Sequence, residues 1–117
     1  MLLVMGNVTT SHLYMRKHTD LWIGGDLTVE GCVLVREGLF VRGTLVASAI
    51  IATGGPAFPH LREAPRARVI TEMALVTDHS PYQVVREARK GALLPEFVDA
   101  GTAKLAMALK EGLPILA

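Results

Sequence analysis

The stretch Leu21–Pro56, LWIGGDLTVEGCVLVREGLFVRGTLVASAIIATGGP, decides the fold. Its odd positions read Leu21, Ile23, Gly25, Leu27, Val29, Gly31, Val33 and Val35, while Asp26, Thr28, Glu30 and Arg36 fall between them. A period of two is the signature of a half-buried strand, because successive side chains point to opposite faces. The alternation resumes as Leu39, Val41, Gly43, Leu45, Ala47, Ala49, Ile51 and Thr53 in the same phase. These odd positions are the expected inward set.

A longer period lies on top of this one. The segment divides into hexads LWIGGD, LTVEGC, VLVREG, LFVRGT, LVASAI and IATGGP, each led by Leu, Val or Ile and most carrying Gly or Ala at the fifth place. Such a hexad is a very short strand followed by a corner, and a corner needs a small residue where the backbone turns tightly. Three hexads give a coil of about 18 residues. The two-residue Asn-Gly or Asp-Gly loops of a hairpin meander do not occur in this stretch. The expected fold is therefore mainly β, a short single-stranded β-solenoid (β-helix), with a right-handed coil expected.

Working outward, Gly6, Gly25 and Gly43 register with one another, as do Val4/Ile23/Val41 and Val8/Leu27/Leu45. One extra residue in the first coil, near Met15–Thr19, reads as a loop or bulge at a corner. Downstream, GGPAFPHLREAPRAR has three prolines and reads as an excursion loop over about 54–67. Val69, Thr71, Met73 and Leu75 restore the alternation in the phase of Ile51, which predicts a partial fourth coil.

Beyond it the period becomes helical. Ser80-Pro81-Tyr82-Gln83 has the form of a helix start, and Gly91 after Arg89-Lys90 that of a stop, which predicts a helix over 81–90. A second helix is predicted over about 102–111, with Leu105, Ala106, Met107 and Leu109 in its apolar stripe and Gly112-Leu113-Pro114 ending it. The division is thus 1–79 for the coils and 80–117 for a helical cap within one domain. A coil stack has open ends with unpaired strand edges, so a helical cap that covers an end or a flat face suits it.

Composition narrows the functional classes. Twelve Lys+Arg against 11 Asp+Glu give a net charge of +1, which does not specialise the surface for nucleic acid or anionic lipid. A single cysteine, Cys32, rules out an internal disulfide framework. The start, MLLVMGNVTTSH, has no basic leader and no apolar run of signal-peptide or membrane-span length. A cytoplasmic location is the expectation.

Candidate sites follow from the outward positions. Trp22 and Phe40 are 18 apart and stack on one outer face, with Leu34/Ala52 and Thr28/Val46 forming ladders on the other two. Exposed aromatics in a stack are typical anchors of protein interfaces. The competing reading is that the C-terminal helices cover them. The expected partner surface comprises Trp22, Phe40, Leu34 and Arg42 together with Arg62, Arg66 and Arg68, whose charges otherwise read as a solvated face.

His12, His18, His60 and His79 fall in four separate segments without metal-ligand spacing. Asp78-His79 beside Ser80 is not a dyad, since neighbours on a strand point apart. No catalytic residue, cofactor or metal is expected, and the protein reads as a non-enzyme. Left-handed hexapeptide enzymes, such as acyltransferases and gamma-class carbonic anhydrases, have hexads with one large residue, whereas here the first and third are both large and apolar.

The phrases DLTVEG and LFVRGTLVAS, with glycine-punctuated alternation over residues 2 to 53, resemble the bactofilin-like, polymer-forming bacterial solenoids. The Thr77-Asp78-His79 strand end and the tail LLPEFVDAGTAKLAMALKEGLPIL are similar to small bacterial solenoid proteins that resemble immunity proteins of polymorphic toxin systems. The first resemblance implies a self-assembling cytoskeletal scaffold. The second implies a binding protein that neutralises a cognate toxin. Bactofilins end in short disordered tails that leave both ends free, so the helical tail here favours the second, with a protein partner and a homo-oligomer, a dimer in the first instance, as the expected associations.

Overall fold

A computed structural model of the chain describes residues 2–15, 20–35, 38–52, 60–61, 65–71 and 86–117. The described residues are mainly β, in parallel sheets, followed by helical segments. Eleven strands are described: β1 (Leu2–Val4), β2 (Val8–Thr10), β3 (Leu13–Tyr14), β4 (Leu21–Ile23), β5 (Leu27–Val29), β6 (Cys32–Val35), β7 (Leu39–Val41), β8 (Leu45–Ala52), β9 (His60–Leu61), β10 (Arg66–Thr71) and β11 (Arg86–Ala88). Each pairs in parallel with a strand about one repeat away, in the orders β1-β4-β7-β9 and β2-β5-β8-β10-β11, with β3-β6-β8 alongside. Parallel neighbours need a crossover between them. From β1 to β4 that crossover is β2 and β3.

The repeat is not uniform. Partners are 19 residues apart at Leu2/Leu21, 18 at Leu21/Leu39, 17 at Leu34/Ile51 and 20 at Phe40/His60. Along β8 the step falls from 18 at Thr28/Val46 to 17 at Cys32/Ala49, so a residue present in the Glu30-Gly31 corner has no counterpart at Ala47-Ser48. This slip corrects the expectation of one continuous phase. Ile50, not Ile51, joins the inner core, and Leu34 registers with Ile51 rather than with Ala52. A second register shift, between Arg66 and Arg68 on β10, precedes Ile70, which lies opposite Ile51 in the place expected of Val69.

The inner core is built from the alternation. Leu21, Ile23, Leu27, Val29, Val33, Val35, Leu39, Val41, Leu45 and Ile50 form one cluster, with Leu27, Val33, Val35, Leu39 and Ile50 wholly inaccessible. Fully burying one such side chain contributes about 1.5–3 kcal/mol.

Corners are closed by side chains that serve the next layer. The Asp26 backbone N–H donates to Asn7 Oδ1 at 2.8 Å, and the Thr44 N–H donates to Asp26 Oδ1 at 2.8 Å. Beside them the glycines stack directly: a β-carbon on Gly43 would lie 2.6 Å from the Gly25 carbonyl oxygen, and one on Gly25 would lie 2.9 Å from that of Gly6. The hexad glycines are therefore required by close approach of one corner to the next.

A second core lies outside the first. Cys32, Leu34, Ala49, Ile51 and Ile70 point outward from β6, β8 and β10 and are covered by Ala92, Leu93, Phe97, Ala100, Leu105, Ala108, Leu109 and Ile115. The cap consists of a single turn, α1 (Arg89–Ala92), in which Lys90 and Gly91 are not helical, a 3-10 turn at Pro95–Phe97, and α2 (Thr102–Lys110). The α2 helix ends as the sequence indicates: Gly112 has φ +74° and donates to the Leu109 carbonyl, while the Leu113 N–H donates to that of Ala108. This is the Schellman arrangement that glycine makes accessible. Residues 115–117 then return alongside 92–94, with the Leu94 N–H donating to Ile115 O and the Ala117 N–H to Ala92 O.

Two expectations change here. The helix over 81–90 is not formed in its second half, because Arg86–Ala88 is a strand in register with Val69–Thr71; residues 81–85 lie outside the described residues. The excursion over 54–67 contains β9, paired with β7, and the start of β10. Of the two placements expected for the tail, over an end or over a flat face, the described residues show the second: it lies over one outer face of the strands.

Candidate functional site

The first outer face carries the aromatic pair. Because β4 and β7 are parallel with Trp22 opposite Phe40, the two rings occupy equivalent places one layer apart. Their centroids are 3.9 Å apart and their planes 6° from parallel. Leu3 continues the row on the other side of Trp22. Leu3 is 57% and Trp22 42% exposed, and Phe40 is half-buried.

The geometry decides which part of each ring meets solvent. The faces point along the row, toward neighbouring layers, so the edges point outward. An aromatic edge carries the positive end of the ring quadrupole. Such edges suit a carbonyl, a carboxylate or the face of another ring. Arg42, two residues beyond Phe40, is exposed at the corner that follows β7.

The remaining residues of the expected surface separate from this row. Arg66 is exposed on β10 in register with Val46, which lies on the second face with Thr28. Arg68 is opposite Ala49 on the third face and is engaged by Glu87, with Nε to Oε2 at 2.9 Å and Nη2 to Oε1 at 3.0 Å. The Arg68 guanidinium holds the Glu87 carboxyl below its usual range and is itself raised by that hydrogen bond. Arg62 lies outside the described residues. Leu34 is a correction: it points outward as expected but is wholly inaccessible beneath the cap, so it belongs to a core and not to a docking surface.

One signal in the sequence could have found this. Cys32–Val35 and Ala49–Ala52 are apolar at every position, which marks strands buried on both faces. The described cap residues pack on Leu34, Ile51 and Ile70 rather than on Trp22 and Phe40, which is where the competing reading places them.

Other described polar side chains join neighbouring segments of the backbone. His12 Nδ1 accepts the Cys32 backbone N–H at 3.2 Å, so this histidine serves the corner between β2 and β3 as Asn7 serves the corner between β1 and β2. Burial pushes the Cys32 thiol up, and the Arg68 charge pulls it the other way. Arg89 is buried and donates from Nη1 to the Ala100 carbonyl at 2.9 Å, tying the first turn of the cap to the segment before α2. Beside it an open cleft of about 700 Å³ is lined by residues that include Lys90, Leu93, Val98, Asp99 and Ala117. Among the described residues no three His, Cys, Asp or Glu side chains converge as metal ligands, and no helix is long and apolar enough to cross a membrane. His18, Asp78, His79 and Ser80 lie outside the described residues.

Comparison with known proteins finds no matching family model, no matching curated protein and no matching solved structure.

Proposed function

We propose that the chain is a non-catalytic protein-binding module, a short β-solenoid whose first outer face docks a protein partner. The observation that carries this reading is the Trp22–Phe40 stack, held in register by parallel strands, with Trp22 42% exposed while the described cap residues pack on a different face. Rigid aromatic anchors lose little conformational freedom on binding, which is why a few of them dominate interface energetics. The solenoid form is supported by the parallel registers at steps of 17 to 20 residues and by the stacked corners at Asn7, Asp26, Gly25 and Gly43.

The outward ring edges and Arg42 favour a partner surface that presents carboxylates, carbonyls or an aromatic face. The narrower reading, that this partner is a toxin the protein neutralises, stands on the resemblance of Thr77-Asp78-His79 and of the tail alone.

The test is a titration of the purified chain with the product of the adjacent gene, followed by calorimetry. The reading expects a complex that Trp22→Ala and Phe40→Ala each weaken by about 2 kcal/mol or more, the scale of an interface anchor. No complex, or one untouched by both substitutions, contradicts it.

A further inference from the structure

The first layer of strands has an open side. Leu2 and Val4 direct their backbone toward β4, with the Leu2 N–H donating to Asp20 O at 2.9 Å and Val4 O accepting from Gly24 at 2.7 Å. Strand alternation then sends the N–H and C=O of Leu3 the other way. The same holds in β2, where Val8 and Thr10 bond toward the next layer and Thr9 faces away, and in β3, where the Met15 N–H bonds to Leu34 O and Tyr14 faces away. Among the described residues no strand pairs with that side of β1, β2 or β3. Three strand edges that no described strand pairs with therefore lie at one end of the stack.

The apolar core is cut open at the same end. Leu2 is 60% exposed, although its partner one layer up, Leu21, is 8% exposed. Val4, Val8 and Leu13 are likewise only partly covered, whereas Ile23, Leu27 and Val33 in the equivalent places are buried. Natural sheet edges are usually blunted by charged side chains or proline. Leu2–Tyr14, LLVMGNVTTSHLY, contains neither proline nor Lys, Arg, Asp or Glu.

We infer that this end is a homodimer contact, in which two copies of the chain meet head to head through the free edges of β1, β2 and β3. An occupant must offer strand edges on all three sides with the same spacing of corners, and the first layer of a second copy has that outline by construction. Two uncharged edges meet without desolvating an ion. The far end does not match, since its last described strand on the third face, β11, reads Arg86-Glu87-Ala88. A head-to-head contact is isologous and closes at two copies, while a head-to-tail contact would propagate. The edges then pair antiparallel across the two-fold axis.

The test is sedimentation of the 117-residue chain, with circular dichroism as the check on folding. The wild type is expected at twice the chain mass. Leu3→Pro removes a donor from the free side only, and Leu2→Lys places a charge at an exposed position of the open core. Each is expected to sediment at the single-chain mass with an unchanged spectrum, and Leu2→Lys decides the matter if Leu3→Pro unfolds. A wild type at single-chain mass at its highest concentration, a dimer that a folded Leu2→Lys variant retains, or a mass that grows beyond two chains would each overturn the proposal.

Discussion

The Thr44 backbone N–H donates to Asp26 Oδ1 at 2.8 Å, across an 18-residue step that the chain takes around one full repeat. The Asp26 N–H in turn donates to Asn7 Oδ1, so each corner is satisfied by a side chain of the corner before it. Asn and Asp are interchangeable in this role because both offer a side-chain oxygen on a short stem.

Asp26→Ala leaves the Thr44 N–H without its side-chain acceptor at a half-covered corner and is expected to cost about 1 kcal/mol of unfolding free energy. Asp26→Asn keeps the acceptor and is expected to lie within about 0.5 kcal/mol of the wild type. Urea unfolding of the three proteins reads the difference.

Gly43→Ala forces a β-carbon to within 2.6 Å of the Gly25 carbonyl oxygen, which is backbone and cannot swing aside. The expected destabilisation is about 1–3 kcal/mol, typical of overpacking a rigid site. Gly6→Ala is the control, since nothing lies within 4 Å of the added atom, and its urea midpoint should stay close to that of the wild type.

Leu105 is wholly inaccessible between α2 and the outer face of β6, β8 and β10. Leu105→Ala is expected to cost about 2–5 kcal/mol through lost burial and the cavity left behind. Met107, two residues on and 55% exposed, should tolerate alanine with a change under about 0.5 kcal/mol. Thermal melts distinguish a packed cap from a loosely attached tail, in which both substitutions would be silent.

The Glu87 carboxyl is held below its usual range by Arg68, so the folded state binds this proton less readily than the unfolded chain does. Its contribution to stability is present above the unfolded value of about 4.3 and is lost as pH falls through the lower folded value. Both side chains are more than a third exposed, so the contribution is expected to be about 0.5 kcal/mol or less and to shrink with salt. Denaturant midpoints of the wild type and Glu87→Gln should differ at neutral pH and converge under strongly acid conditions. A difference that persists below the folded value would contradict the assignment.

The fold was legible wherever one side of a strand is buried and the other is not. From Leu21 to Val46 the alternation, the hexad glycines and the Trp22–Phe40 pair all translate directly into register. Legibility failed where both sides are buried. The apolar runs at 32–35 and 49–52 have no phase of their own, so the one-residue slip at Ala47-Ser48 and the burial of Leu34 could not be read from periodicity. Arg86-Glu87-Ala88 failed for a different reason: it follows a helix-start pattern, yet its backbone pairs with β10 and Glu87 meets Arg68 across the ladder. Long-range pairing overrode local propensity there. The candidate site was half legible, since the aromatic row needs only the repeat length, whereas the separation of Arg66 and Arg68 from it requires knowing where each face turns.

The central claim is that successive layers pair in parallel, with one apolar core inside them and a second beneath the cap. Nuclear Overhauser contacts in the isotope-labelled chain test both parts at once. The account predicts contacts linking Trp22 to Phe40 and Leu27 to Leu45 across parallel strands, and linking Leu34 and Ile51 to Leu105 across the cap. Short α-proton to α-proton contacts between β4 and β5, the mark of an antiparallel hairpin, with Leu105 remote from Leu34, would contradict it.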